Sequence, residues 1–281
     1  FEAGRFYRPR TETSGAGFDR IYAYTPAPGQ FVNAGPETIA TPGQACEYAQ
    51  RQMAGGGYVS LGAFGGYIVA GFDHSVDASA DGYDLAVGGN SFDTSSEPGV
   101  VWVMQDENGD GLPNDTWYEL RGSEYDDPAT VHGYAVTYYR PASSGTEVPW
   151  TDDRGGRGAV GRNEFHQQDT YYPAWVAADS YTLRGTLLEN RAEFGYSDRY
   201  GDFIWMLPAR EWGYADNYSD EGRDGTWNLF RISDAVRFDG SPADLTYIDF
   251  VKVQSGVQAM CGAIGETSTE VTGIADYRLM K

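Results

Sequence analysis

Cysteine is nearly absent, with only Cys46 and Cys261 in 281 residues. Two cysteines build no disulfide framework and show no metal-ligand spacing, so they can form at most one bridge, tying the early chain to its end. Basic residues are scarce, 20 against 41 acids, for a formal charge of −21. That balance excludes nucleic acid, whose phosphates need Lys and Arg, and docking on anionic lipid. No run reaches the ~18 apolar residues of a membrane helix, so no transmembrane segment is expected. The three histidines, His74, His132 and His166, include no i, i+4 pair for a helical zinc site. There is no GxSxG elbow, P-loop or HExxH. The Gly-rich GAFGG at 62–66 lies between strands, where a dinucleotide turn would need a following helix. Binding without catalysis is expected. A glycan hydrolase stays open only because carboxylate separations of ~5–9.5 Å are not readable from sequence. The chain opens at Phe1 without Met or leader, and any export signal or lipid anchor is expected to have been trimmed.

What is abundant is aromatic: 21 Tyr, 7 Trp and 13 Phe. Aromatics favour strands and contact surfaces. Short apolar or alternating runs recur between Gly- and Asp-rich turns. RIYAY at 20–24, YVSLG at 58–62, YIVAGF at 67–72, YDLAVGG at 83–89 and VVWVMQ at 100–105 are the first five. TWYELRG at 116–122, YAVTYYR at 134–140, YTLRGTLL at 181–188, FIWML at 203–207, TWNLFRI at 226–232 and LTYIDFVKVQ at 245–254 follow. The mixture predicts an all-β, two-sheet β-sandwich, jelly-roll-like, with long decorated loops. Thr41-Pro42 opens one short N-terminal helix, which AGGG at 54–57 ends. Residues 1–19 read as a flexible lead-in, and 20–281 as a single domain with a loop excursion at about 141–179.

The sharpest motif is DENGDGLPND at 106–115. Asp106, Asn108 and Asp110 alternate, so their oxygens can converge on one point, and Gly111 permits the turn. The Leu112 carbonyl, Asn114 and Asp115 can complete an oxygen shell for calcium. Position twelve is Trp117 where an EF-hand has Glu, and the flanks are strands, so this is not an EF-hand. The plainer alternative is a polar turn. Two looser acidic groups are Asp84, Asn90, Asp93 and Glu97, and Asp216, Asn217, Asp220 and Asp224 with Glu266 and Glu270. Either can bind an ion or be a solvated loop. Aromatics also gather where the strand pattern fades: Trp150, Tyr171, Tyr172, Trp175, Trp212, Tyr214, Tyr218 and Trp227, with His166 among them. Flat faces of this kind stack on ligands, or else plug the core beneath loops.

Several long stretches carry a resemblance: YTPAPGQFVN (24–33), LGAFGGYIVAGFDHSV (61–76), GYDLAVGGNSF (82–92), SEPGVVWVMQDENGDGLPNDTWYELRGSEY (96–125) and IDFVKVQSGVQAMCGAIGETSTEV (248–271). Together they resemble cell-surface lipoproteins of gut Bacteroidetes associated with outer-membrane cobalamin uptake. The resemblance implies a lipid-anchored or secreted protein at the outer-membrane surface, with a β-sandwich core and bound calcium. It also implies capture of a corrinoid for a TonB-dependent outer-membrane transporter. His166 could then contact the ligand or ligate cobalt. A carbohydrate-binding or adhesive module is the alternative, by analogy of fold.

Overall fold

The computed structural model describes residues 4–35 and 37–280. Among these the only α-helix is Pro42–Ala54. The Thr41 hydroxyl caps it by accepting from the Gln44 N–H, Pro42 starts it, and Gly55 closes it. Ala45, Ala49 and Met53, spaced by four, form its buried face against the strand Arg20–Thr25.

That strand is one edge of a six-stranded sheet. Its order is Arg20–Thr25, Tyr67–Asp77, Tyr247–Ser255, Gly99–Met104, Tyr118–Leu120 and Ala235–Val236, with every pairing antiparallel. Side chains alternate between faces along each strand. Ile68, Ala70, Val101, Val103, Val251 and Val253 therefore point one way, into a core shared with Leu85, Val87, Phe230 and Ile274. Leu85, Val87, Phe230 and Ile274 belong to a four-stranded sheet, Arg223–Asp224, Trp227–Phe230, Leu85–Gly88 and Gly273–Asp276. The two sheets make the all-β sandwich.

A further layer covers the opposite face of the six-stranded sheet. Ser180–Leu187, Val131–Tyr139, Val148–Asp152 and Arg157–Val160 form a second four-stranded sheet. It rests on its own core of Phe64, Tyr134, Val136, Tyr138, Val148, Val160 and Leu183. Gln254, on the outer face of the central strand, bridges the layers by donating to the carbonyls of Gly65 and Arg184. Gly185 makes that approach possible: a Cβ there would lie 2.3 Å from Gln254 Oε1. The central sheet is thus buried on both sides over much of its area. This is why VVWVM reads as a continuous apolar run rather than an alternating one.

Two expectations are corrected, and the open question of the cysteines is answered. Of the lead-in, residues 1–3 lie outside the described residues, and the rest is tied down where mobility was expected. Arg8 donates to the Phe72 carbonyl and to Asp249, Phe18 N–H to the Ile274 carbonyl, and Asp276 N–H to the Ala16 carbonyl. The excursion at 141–179 contains two strands of the added sheet, Val148–Asp152 and Arg157–Val160. Its TDDRGGRG segment is the connection between them. Cys46 and Cys261 are both free thiols, so the bridge considered for them is absent.

Candidate functional site

The register of the central sheet creates a row that period-2 reading of single strands does not show. Lys252 pairs with Trp102, Trp102 with Glu119, and Glu119 with Val236, across four neighbouring strands. Val101, Val103, Val251 and Val253 take the core face, so Trp102 and Lys252 project from the other one. Where the added sheet leaves that face open, the row floors a cleft of about 280 Å³. Trp117, Tyr125, His132 and Thr186 complete its walls, and Phe238, 97% exposed, stands at its rim.

The chain has two lysines, Lys252 and Lys281, among 20 basic residues. Lys281 lies outside the described residues. The Lys252 ammonium sits 4.4 Å from the Trp102 ring centre and 5.4 Å from that of Trp117. Such cation–π contacts strengthen as water is excluded. Burial pulls its pKa down to about 8, against the opposing pull of Glu119. Glu119 accepts from Thr186 Oγ1 at 2.5 Å. His132 Nε2 is 3.0 Å from the Tyr125 carbonyl, which makes it the donor there, and Nδ1 lies 3.8 Å from Glu119. The neighbouring Glu119 carboxylate chiefly raises the His132 pKa, opposed by burial. Trp102 Nε1 is buried without a hydrogen-bond partner. The cleft therefore offers aromatic faces and one cation that titrates near pH 8.

The aromatics singled out from sequence are elsewhere. Tyr171, Tyr172, Trp175 and Tyr214 are buried, so they cannot form a ligand face. Tyr171 donates to the His166 carbonyl and Tyr172 to the Ala178 carbonyl, closing loops over the core. Trp150 is half-buried across Gly158, and Trp227 lies across Gly88 and Gly273, where missing side chains make room for an indole. Trp212 is half-buried beside Leu120 and Arg231. His166 packs edge-on against Phe31 with ring centres 4.6 Å apart. These positions do not converge on one surface. The cleft residues were missed because they come from strands ~150 positions apart, and only pairing register joins them. A usable signal did exist: a lysine inside the apolar run IDFVKVQ.

The 106–115 loop closes on itself through hydrogen bonds, but among the described residues the carboxylates of Asp106, Asp110 and Asp115 do not come within ligand distance of one another as Glu97, Asp216 and Glu270 do. Asp106 accepts from the N–H groups of Gly109 and Gly111, whose φ values of 78° and 71° turn the chain around it. Asn108 Nδ2 donates to Asn114 Oδ1 at 3.0 Å and to Asp115 Oδ1 at 3.3 Å, and Asn114 Nδ2 donates to Asp110 Oδ2 at 2.8 Å. The Leu112 carbonyl accepts from Asn114 N–H. The donor set is all oxygen, which fits a hard cation. Two amide NH2 groups now occupy the side of the loop that an ion would neutralise. The looser acidic groups are regrouped. Asp84 accepts from Ser79 and Ile232 N–H, and Asp93 pairs with Arg199, whereas Glu97, Asp216 and Glu270 come together. No family model matches this chain, and no curated protein does.

Proposed function

We propose that this protein is a surface-exposed, calcium-stabilised binding protein that captures its ligand in the Trp102–Trp117–Lys252 cleft. The observation that carries this reading is an ammonium group held over two indole rings, with no hydrogen bond or ion pair among the described residues, at the floor of an open cleft. Such a seat suits a flat ring that bears an anionic group. A corrinoid is the first candidate, presented by its nucleotide loop, whose phosphate would meet Lys252. The support is that the stretches carrying the resemblance, 96–125 and 248–271, supply Trp102, Trp117, Glu119, Tyr125 and Lys252. In this reading the ligand passes on to a TonB-dependent outer-membrane transporter. An acidic glycan is the second candidate. A volume of about 280 Å³ accepts one sugar ring but not a whole corrin, and small-molecule pockets start near ~300 Å³.

Calorimetric titration with cyanocobalamin, an oligouronate and a neutral oligosaccharide separates these readings. Trp117→Ala is expected to weaken the bound ligand by thirtyfold, or about 2 kcal/mol, as for a central aromatic anchor. Binding of none of the three, or binding indifferent to Trp117→Ala, would sink the proposal.

The 106–115 loop is the proposed calcium site, with Asp106, Asn108, Asp110, Asn114 and Asp115 as ligands once Asn108 and Asn114 turn their amide oxygens inward. A ligand held only by the folded state stabilises it by ~2.7 kcal/mol at a hundredfold excess over Kd. Asp110→Ala is expected to bind one calcium fewer than wild type and to melt lower in calcium. An unchanged calcium count in that variant would remove the loop from the reading.

A further inference from the structure

Glu97, Asp216 and Glu270 each bring a carboxylate oxygen within 4.8 Å of the others. They come from three distant parts of the chain. Glu97 precedes the strand Gly99–Met104, Asp216 lies in the loop after Leu207, and Glu270 starts the strand Glu270–Val271. Backbone groups fix them. Asp216 Oδ1 accepts from the N–H groups of Asn90 and Ser91 and its Oδ2 from that of Glu270, while Glu97 Oε1 accepts from Ser268 N–H. Asp216 is held in the left-handed region at φ 51°, a conformation side chains adopt only when the surroundings enforce it.

Two observations beyond the clustering point to a missing partner. Glu270 is 3% exposed, yet its Oε1 has no hydrogen-bond partner. Glu266, 0% exposed, spends Oε1 on Gln30 N–H, and its Oε2 is likewise unpartnered. Its charge is felt at Glu97. No salt bridge reaches Glu97, Asp216, Glu266 or Glu270 among the described residues. Buried polar atoms without partners are rare and costly. Oxygens arranged around a hard cation at ~2.3–2.6 Å from it lie at most about 5 Å apart, which the triad satisfies.

We propose that Glu97, Asp216 and Glu270, the first half-buried and the other two buried, form a metal site, distinct from the 106–115 loop, that takes a hard divalent cation, calcium in the first instance. Carboxylate oxygens without imidazole or thiolate favour calcium, magnesium or manganese over zinc or copper. Magnesium keeps several waters, and a site this enclosed favours the ion that sheds them. The alternative chemistry for the same geometry is a proton shared between Glu97 and Glu270.

The test counts ions by mass spectrometry in folded protein equilibrated with calcium and then desalted. The loop variant Asp110→Ala, with the triad intact, is expected to retain one bound ion and to melt lower in EDTA. Adding Glu270→Gln, or Asp216→Asn, which tolerates the left-handed backbone, is expected to remove that ion. An Asp110→Ala protein that holds no divalent ion and melts identically with and without EDTA would overturn the site in favour of the shared proton. So would an ion that persists in both double variants. Should either double variant fail to fold, the Asp110→Ala measurement decides alone.

Discussion

Tyr172→Ala is expected to destabilise the fold by about 4 kcal/mol, the scale of deleting a large buried ring. At ~2 °C per kcal/mol for a chain of this size, the melting point should drop by roughly 8 °C. The reason lies in its surroundings. Tyr172 is fully buried, its ring meets Tyr181 edge-on at 5.3 Å, and the Arg140 guanidinium lies 4.5 Å from its centre. Its hydroxyl ties the loop to Ala178. Tyr172→Phe keeps the ring and should lose only about 1 kcal/mol, the usual net worth of one hydrogen bond. Ligand affinity of the folded fraction should be unchanged in both. A binding defect in Tyr172→Ala at unaltered melting point would return the aromatic loops to the ligand surface and discredit the cleft.

Lys252→Met should do the reverse. An anionic ligand is expected to bind tenfold or more weakly, while stability stays level or rises. Replacing a buried charge by an apolar chain of similar length relieves desolvation. The wild-type affinity should also depend on pH. Burial holds the Lys252 pKa at about 8, below the ordinary lysine value of 10.5, so the cation is present below that pH and lost above it. Affinity should therefore fall as pH climbs through about 8, and Lys252→Met should show no such step. Stability responds with the opposite sign. A lysine with a depressed folded pKa costs the fold least when neutral, so its contribution improves as pH rises from about 8 toward 10.5. Calorimetry across pH 6.5 to 9.5 checks both; a flat wild-type affinity profile for cyanocobalamin or an oligouronate would detach Lys252 from the ligand.

Local signals in the sequence were reliable where the chain decides structure locally. Thr41-Pro42 with AGGG placed the helix Pro42–Ala54, and the strand runs from RIYAY to YIDFVKVQ lie where the sheets have them. Short strands such as Val148–Asp152 and Arg157–Val160 escaped notice. They flank a turn so rich in Gly and charge that it outweighs nine residues of weak pattern, and Val148 and Val160 are held in a core shared with Tyr138 and Leu183 of the same sheet. The added layer was hinted at by continuous apolar runs, but no run says what covers its second face. Each half of the carboxylate triad was visible, Glu97 in one acidic group and Asp216 with Glu270 in another. Their meeting depends on a fold-level contact, Glu97 N–H to the Asp216 carbonyl at 3.0 Å, that no spacing rule encodes. The aromatics misled because Tyr and Trp suit both a ligand face and a core plug; burial, not composition, separates the two.

The order of strands in the central sheet bears on how the chain can be made. Tyr247–Ser255 lies between Tyr67–Asp77 and Gly99–Met104, pairing with both. It therefore reaches its place only after nearly nine-tenths of the sequence has left the ribosome. Until then the two flanking strands present open edges toward the gap, and open apolar edges recruit other chains. Pairings this remote in sequence also close slowly. Fragments ending before residue 247 should aggregate rather than fold. Until the strand Tyr247–Ser255 is available, the earlier strands have no partner to close the central sheet, the situation in which a folding chain is most exposed to aggregation.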